Sequence, residues 1–280
     1  MIPVVLALCA SLGWGCSDFI AGLQARARPI LTVLLATQLT GLVAMGVVVL
    51  ARGDGPPGGA AVLFPCLAGV AGVLGFGFFY RALATGRMSI VAPLIATSAT
   101  VPVLLGFARG ERPSALQLAG MAAAGVGVLV VVRAEGDEEG ADGSARQAVV
   151  LALAGALVFG FALAGLAVGS DDDPYWTVLF YRLVAAATTI GVVLAVRHRA
   201  RVPLVAVVPL LAVGVLDTTS TALFAVAASK GLLSVVSVLA SLYPVVTIAL
   251  AHGHLGERLR PVQLTAVAIV LAGIAALSAG

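Results

Sequence analysis

Long apolar stretches alternate along this chain with short breaks that hold charged residues or Gly and Pro. A helix needs about 20 mainly apolar residues to cross the hydrocarbon core of a bilayer. A membrane β-barrel would instead show short segments of alternating hydrophobicity. The pattern therefore predicts ten transmembrane helices, near residues 3–23, 30–51, 62–84, 89–108, 114–132, 147–168, 174–196, 203–227, 232–252 and 261–279.

The composition agrees with this prediction. Hydrophobic residues make up 61% of the chain and charged residues 10%, and the mean hydropathy is +1.12. A soluble domain has roughly 25% charged residues, so this chain lacks the polar surface that a water-soluble fold requires. The predicted fold class is an all-α integral membrane protein surrounded by the lipid bilayer.

The second half of the chain repeats the first at an offset of 145 residues, which becomes 146 towards the end. Many of the matches involve Trp, Phe, Glu and Arg positions, which shared richness in alanine and valine does not explain. Matched positions include Trp14 and Phe159, Gly15 and Gly160, residues 32–34 and 177–179 (both Thr-Val-Leu), and residues 110–112 and 256–258 (both Gly-Glu-Arg).

The repeat unit holds five predicted helices, and this odd number has a geometric consequence. Five crossings bring the chain to the opposite side of the membrane, so the second copy begins upside down. The sequence predicts ten transmembrane helices arranged as two inverted five-helix repeats. Residues 1–133 form the first repeat, residues 134–146 an acidic, glycine-containing linker, and residues 147–280 the second repeat.

The positive charges favour one orientation. Lys and Arg near the spans resist translocation, and this distribution predicts both termini outside the cytoplasm. Ten arginines lie on the side opposite the amino terminus: Arg26, Arg28, Arg87, Arg133, Arg146, Arg197, Arg199, Arg201, Arg258 and Arg260. The amino-terminal side has four basic residues: Arg52, Arg109, Arg112 and Lys230. No basic patch with interleaved aromatic residues is present, so no nucleic-acid partner is expected.

Four charged residues lie inside predicted spans, namely Asp18, Arg81, Arg182 and Asp217. A charge at the centre of a membrane helix is disfavoured by about 2.5–3.5 kcal/mol even on the mildest scale. Arg182 and Asp217 lie at similar depths in spans 7 and 8, so an ion pair is possible. Asp18 and Arg81 lie nearer the other face, where they could pair within the first half.

Two interpretations of these charges stay open. In the functional one, Asp217 binds a proton or a cationic group of a substrate, and Arg182 keeps it ionised or recognises a carboxylate. In the structural one, the pair locks spans 7 and 8 together, because buried charges need partners in any protein. Asp18 and Arg81 could also extend to the membrane interface.

Aromatic and hydroxyl side chains supply further candidates for lining a cavity. A flat ring with a polar end suits amino acids and aromatic metabolites, whereas serine hydroxyls can either contact a substrate or join helices. The candidate substrate and coupling residues are Asp217, Arg182, Asp18, Arg81, Trp14, Tyr243, Tyr80, Ser237 and Ser241.

Prolines interrupt corresponding spans in the two halves. Pro93 and Pro102 lie in span 4 and Pro244 lies in span 9, where each removes a backbone donor and permits a bend. These three residues are candidates for gating, although such breaks also occur in ordinary membrane helices. The match is inexact, because Ala99 occupies the position equivalent to Pro244.

The chain offers no pattern for catalysis or metal binding. It has no His/Cys/Asp cluster, no Gly-x-Ser-x-Gly motif and no phosphate-binding loop, so it is not expected to be an enzyme. Cys9, Cys16 and Cys66 fall inside apolar spans and are expected to act as small hydrophobic residues. No metal or other cofactor is predicted.

These features resemble the drug/metabolite transporter superfamily, in particular its ten-helix members with two tandem EamA-like units. The resemblance rests on Trp14-Gly15 in span 1, on a Gly-Glu-Arg turn after spans 4 and 9, and on residues 241–244 (Ser-Leu-Tyr-Pro) in span 9. The acids of these turns, Glu111 and Glu257, are expected to be structural, at the positive end of the helix that follows.

The resemblance implies a secondary transporter of the cytoplasmic (inner) membrane that exports small metabolites, amino acids or drugs, driven by an ion gradient or by exchange. The leading hypothesis is export by alternating access with protons as the coupling ion. Inverted repeats allow one scaffold to expose a central site to either side in turn. The alternatives are a non-transporting scaffold or sensor and a membrane-embedded enzyme. The sequence favours neither a monomer nor a homodimer.

Overall fold

The computed structural model describes residues 1–58, 62–86, 88–136, 143–199, 202–255 and scattered positions between 261 and 276. All regular structure in these residues is helical. A short 3₁₀ helix, Thr97–Ala99, lies between α4 and α5. The α-helices are α1 (Ile2–Ala27), α2 (Ile30–Arg52), α3 (Leu63–Thr85), α4 (Met88–Ala96), α5 (Thr100–Ala108), α6 (Ala115–Gly136), α7 (Gly143–Ser170), α8 (Pro174–Ala195), α9 (Leu204–Ala228), α10 (Leu233–Ala240) and α11 (Tyr243–Leu255).

Seven segments of the described chain are long and apolar enough to cross a membrane. Six of them match predicted spans 1–3 and 6–8, and the seventh, Leu233–His254, matches span 9. A shorter apolar segment, Leu94–Ala108, falls in span 4, and α6 covers span 5. Span 10, at 261–279, lies outside the described residues except for scattered helical positions. The chain is thus a multi-pass helical membrane protein.

Spans 4 and 9 are each broken into two helices, at corresponding positions of the sequence repeat. The first break is the 3₁₀ helix between α4 and α5, and the second is a turn at residues 241–242. Pro102 lies in the first turn of α5 and Pro244 in the first turn of α11. A proline in a first turn loses no helical hydrogen bond, so α5 and α11 accommodate these two residues. Pro93 lies within α4.

The longest helices pack across the two halves of the sequence. Helix α1 packs most extensively on α9, and α3 packs most extensively on α7. Under the 145-residue offset these two pairs are equivalent, because α1 corresponds to α7 and α3 to α9. Helices α2 and α8, which also correspond, pack on each other. The principal helix contacts therefore join one half of the chain to the other.

The apolar core is divided into two clusters along the length of α1. One cluster includes Ala7 and Ala10 from the first part of α1, and the other includes Phe19 and Ala21 from its second part. The ring of Trp14 packs against both clusters. The middle of the bundle is therefore the level at which the core changes from one cluster to the other.

The Gly-Glu-Arg turn after α5 binds the start of a helix in the other half. The Glu111 carboxylate accepts hydrogen bonds from the backbone N–H groups of Leu233 (2.6 Å) and Ser234 (2.9 Å) at the start of α10. An acid at a helix amino terminus satisfies free donors and the helix dipole. Glu111 thus has a structural role, but it caps α10 and not the helix that follows it. Glu257 lies outside the described residues.

Asp173 joins α2 to α8 on the amino-terminal side. Its carboxylate accepts hydrogen bonds from the N–H groups of Tyr175 (2.8 Å) and Trp176 (3.0 Å) and from both terminal nitrogens of Arg52 (3.1 Å each). Partial burial by itself raises the pKa of Asp173, but these hydrogen bonds outweigh it and hold the pKa below its usual value.

We expect Asp173→Ala to lower the free energy of unfolding by about 1 kcal/mol at pH 7. Because folding lowers the pKa of this carboxyl, its contribution is complete above the unfolded value of about 3.9 and is lost as the pH falls through the folded value. Thermal unfolding of the purified protein from pH 7 to pH 3 tests this. The control is Asp172→Ala, since Asp172 is exposed. A wild-type advantage over Asp173→Ala that persists unchanged at pH 3 would contradict the prediction.

Candidate interior binding site

A cavity of about 60 Å³ lies inside the bundle, where the broken helices approach α1 and α7. One buried water needs roughly 10–15 Å³, so the cavity has room for several water molecules. Its walls come from α1, α3, α4, the 3₁₀ helix, α7, α8, α9 and α11. Both halves of the chain therefore contribute to one interior space.

Six aromatic rings form much of the wall. The indole of Trp14 meets the Tyr243 ring edge-on, with 6.4 Å between centroids, and Phe76 meets Phe159 edge-on at 4.8 Å. Such edge-to-face pairs add to the stabilisation that burial of the rings provides. The aromatic lining residues are Trp14, Phe76, Phe79, Phe159, Tyr181 and Tyr243.

The two helix breaks contact the cavity through equivalent positions. Ser98 of the 3₁₀ helix and Tyr243 at the start of α11 are 145 residues apart, and both line the cavity. Each break packs on a glycine of the other half. A Cβ atom on Gly15 would lie 2.7 Å from the Tyr243 carbonyl oxygen, and one on Gly160 would lie 2.8 Å from the Ser98 carbonyl oxygen. Neither glycine leaves room for a larger residue.

Arg182 and Asp217 form the ion pair that their depths in the sequence suggest, with 2.5 Å between a guanidinium nitrogen and a carboxylate oxygen. The Arg182 side chain is fully buried. It also donates hydrogen bonds to Gln38 (3.0 Å) and Thr221 (3.2 Å). The network joins α2, α8 and α9. Asp217 and Thr221 line the cavity, whereas Arg182 does not.

Asp18 has a different environment. Its side chain lines the cavity and is only 7% exposed. Helix α1 continues to Ala27, so Asp18 is well inside the helix and does not extend to the membrane interface. Within the described residues, no hydrogen bond or ion pair reaches its carboxylate.

The predicted pair between Asp18 and Arg81 is absent. Arg81 is exposed on α3, while the adjacent Tyr80 is buried. Consecutive residues of a helix point in directions about 100° apart, so the buried face that includes Tyr80 turns Arg81 outward. The cavity therefore contains an acid without a basic partner, beside an acid whose charge is balanced by Arg182.

Several other predicted residues lie outside the cavity wall. Tyr80 is buried against Phe76, with 5.3 Å between ring centroids. Ser237 is buried in α10, and its hydroxyl has no hydrogen-bond partner among the described residues. Ser241, at the second break, donates to the Val238 carbonyl at 2.7 Å. Of the nine predicted substrate and coupling residues, the cavity brings together Trp14, Asp18, Asp217 and Tyr243.

Some of the lining and supporting residues are not evident from the sequence alone. Phe159 is the repeat partner of Trp14, so the repeat register itself pointed to it. Thr221 lies one turn after Asp217, and Gln38 follows Thr37, the repeat partner of Arg182. Phe76 and Phe79 lie in a span with several phenylalanines, and nothing in the sequence distinguishes these two as cavity residues. Within the described part of the chain, no cluster of His, Cys, Asp and Glu could hold a metal ion.

Charged groups enclosed by membrane-spanning helices are typical of proteins that move solutes or ions across membranes. The chain belongs to the EamA-like transporter family, whose model matches it twice, over residues 1–133 and 146–279. This confirms the resemblance to the drug/metabolite transporter superfamily and its two tandem units. The chain is thus a membrane transporter of that type, with a small-molecule substrate.

The fold is also similar to that of a protein of known crystal structure. The two share 18% sequence identity with a TM-score of 0.78, over 99% of this chain and 98% of the other. At this identity the similarity concerns the fold alone. A comparison with curated proteins finds no match.

Proposed function

We propose that this protein is a secondary active transporter that exports small metabolites, amino acids or drugs across the cytoplasmic membrane in exchange for protons. The observation that carries the proposal is the interior cavity, which holds the unpaired acid Asp18 and is lined by residues from both halves. A static scaffold has no use for an unpaired carboxylate in an interior space. A transporter uses such a group to bind and release a charge.

The packing across the halves supports alternating access. The pairs α1 with α9 and α3 with α7 are equivalent under the repeat, as expected for two units related by a two-fold axis. With five spans in each unit, residues 1–133 and 147–280 would be inverted and joined by residues 134–146. Ten spans in two inverted units can expose a central site to each side in turn.

The helix breaks are proposed as the hinges of this motion. Ser98 and Tyr243 line the cavity at the two breaks, and Pro102 and Pro244 lie in the first turns of the helices that follow. Membrane proteins tolerate interrupted helices where the backbone adjoins a cavity. Movement of either half-helix would change the cavity wall directly. Pro93, within α4, is the third gating candidate.

We assign the coupling proton to Asp18 and not to Asp217. A buried carboxylate without a partner is strongly disfavoured in its charged form, so Asp18 takes up a proton or a cationic group when the cavity is closed. Asp217 already has a partner in Arg182 at 2.5 Å. Its pair is electrically balanced, and we propose that it holds α8 and α9 at the wall of the site.

The test is Asp18→Asn in proteoliposomes that contain a trapped pH-sensitive dye, with a panel of amino acids and cationic drugs supplied outside. We expect the variant to lose substrate-dependent proton movement at least tenfold, because the amide cannot exchange a proton. Its thermal unfolding should change by less than about 1 kcal/mol, since Asp18 makes no hydrogen bond that the fold needs.

Asp172→Asn is the matched control, because that acid is exposed outside the spans and should leave coupling unchanged. Wild-type proton movement in Asp18→Asn would remove Asp18 from the coupling mechanism. Absence of solute movement in the wild type under any gradient would favour the scaffold interpretation. Assays on right-side-out and inverted vesicles distinguish export from import.

A further inference from the structure

We infer that the cavity selects small organic cations with an aromatic or apolar body and rejects substrates that carry a carboxylate, the amino acids included. The inference rests on the proposed function and narrows its substrate class. It depends on the charges that the cavity exposes, on the rings that surround them, and on how Arg182 is used.

The charges that reach the cavity are all negative. Among the described residues that line it, Asp18 and Asp217 are charged, and none is Lys, Arg or His. The charge of Asp217 is balanced by Arg182. With Asp18 ionised, the site as a whole therefore carries one negative charge, which a single positive charge on a substrate neutralises; without a cation, Asp18 holds a proton instead.

Arg182 is not available to a substrate carboxylate. Its terminal nitrogens donate to Asp217, Gln38 and Thr221, and the residue has no exposed surface. Its third nitrogen, Nε, faces α2, since a Cβ atom on Gly41 would lie 3.2 Å from it. This arrangement excludes the possibility, open from the sequence alone, that Arg182 recognises a carboxylate in the cavity.

Neutral donors do not replace a cationic partner. The Thr221 hydroxyl already donates to the Asp217 carbonyl at 2.7 Å. A substrate carboxylate would find only neutral donors among the described lining residues, namely hydroxyls and the Trp14 indole N–H, and it would face Asp18 without an opposing charge. Like charges brought together in a site of low dielectric repel strongly, so a zwitterion binds less well than the amine with the same side chain.

The rings around Asp18 favour an ammonium group with an apolar body. Trp14 lies four residues before Asp18 on α1, so the two side chains share a helix face. The Trp14 and Tyr243 rings meet edge-on beside this face. A cation over the face of a tryptophan or tyrosine ring is attracted to it, most strongly when both are removed from water.

The experiment uses three ligands that share a phenyl-alkyl body and differ in charge. Phenethylamine is a cation, phenylalanine adds a carboxylate to it, and hydrocinnamate has the carboxylate alone. Binding to the full chain in lipid nanodiscs is measured by titration calorimetry, with empty nanodiscs as the reference for partition into lipid. We expect phenethylamine to bind at least tenfold more tightly than phenylalanine or hydrocinnamate.

Two variants connect this selectivity to the site. Asp18→Asn should weaken phenethylamine binding at least tenfold and remove the discrimination against phenylalanine. Trp14→Phe keeps a ring and should change the affinity less than about threefold, whereas Trp14→Leu should weaken it more. The Trp14 variants keep the inference testable if Asp18→Asn does not fold, which thermal unfolding would reveal.

Three results would overturn the inference: phenylalanine or hydrocinnamate binding as tightly as phenethylamine, no binding of phenethylamine, or full affinity for it in Asp18→Asn. The assay has no gradient, so its failure is separable from that of the proposed function. Proton-coupled export of phenylalanine would leave the transporter proposal intact and reject the cation site. If phenethylamine binds but neither it nor any other solute is transported, the cation site stands and the transporter proposal is rejected.

Discussion

Asp217→Asn is expected to lower the free energy of unfolding by about 3–5 kcal/mol, because it leaves the guanidinium of Arg182 buried without its counter-charge. Arg182 has no exposed surface, so water cannot replace the lost partner. Gln38 and Thr221 still accept its hydrogen bonds but carry no charge. Unfolding of the purified protein in detergent, monitored by heat or denaturant, gives the measurement.

The double variant Arg182→Met/Asp217→Leu is the matched control for this prediction. Replacing both members of a buried ion pair with apolar residues of similar size is often neutral for stability. The double variant should therefore recover most of the loss, apart from the hydrogen bonds to Gln38 and Thr221. If Asp217→Asn is as stable as the wild type, another group must balance the charge of Arg182. The conclusion that Asp217 is its counter-charge would then be wrong.

Gly15→Ala and Gly160→Ala are each expected to destabilise the fold by about 1–3 kcal/mol, the usual effect of an added group in a packed interior, and to impair transport. The new methyl group would lie 2.7 Å from the Tyr243 carbonyl oxygen in one variant and 2.8 Å from the Ser98 carbonyl oxygen in the other. Backbone atoms cannot rotate aside as side chains do, so each helix must move away from the break.

Gly46 and Gly191 provide the control, because they are also repeat partners in long helices but have no atom near the added methyl group. Alanine at these positions should be neutral or stabilise by up to about 1 kcal/mol, since it is the better helix former. The same comparison in the transport assay shows whether a loss of transport comes from the contacts at the breaks or from any Gly→Ala change in a long helix. Equal effects at all four glycines would mean that the contacts at the breaks are unimportant.

Much of the fold follows from the sequence because the bilayer restricts what an apolar run can form. A stretch of about 20 apolar residues has few alternatives to a spanning helix, and α1, α2, α3, α8 and α9 match their predicted spans to within a few residues. The breaks in spans 4 and 9 lie beside Pro102 and Pro244, which stand in the first turns of α5 and α11. The similar depths of Arg182 and Asp217 allow the ion pair that the structure contains.

The sequence alone does not predict which side chains face the interior or which helices contact each other. These features depend on the orientation of each helix about its axis and on its neighbours in the bundle. Arg81 and Tyr80 are adjacent in sequence, and only packing decides that Tyr80 faces inward. Glu111 caps a helix that begins 122 residues later, so no local motif reveals its partner. Asp18 was expected to lie near a helix end, but α1 continues to Ala27 and encloses it.

The packing of α1 on α9 also affects how the protein is made. Helix α1 ends at Ala27 and α9 begins at Leu204, and ribosomes add about 5–20 residues per second. The first helix therefore enters the bilayer roughly 10–35 s before its principal partner exists. During that interval lipid, water or the insertion machinery must cover Asp18 and Gly15 of α1. The bundle can therefore pack only after the carboxyl-terminal half has been synthesised and inserted.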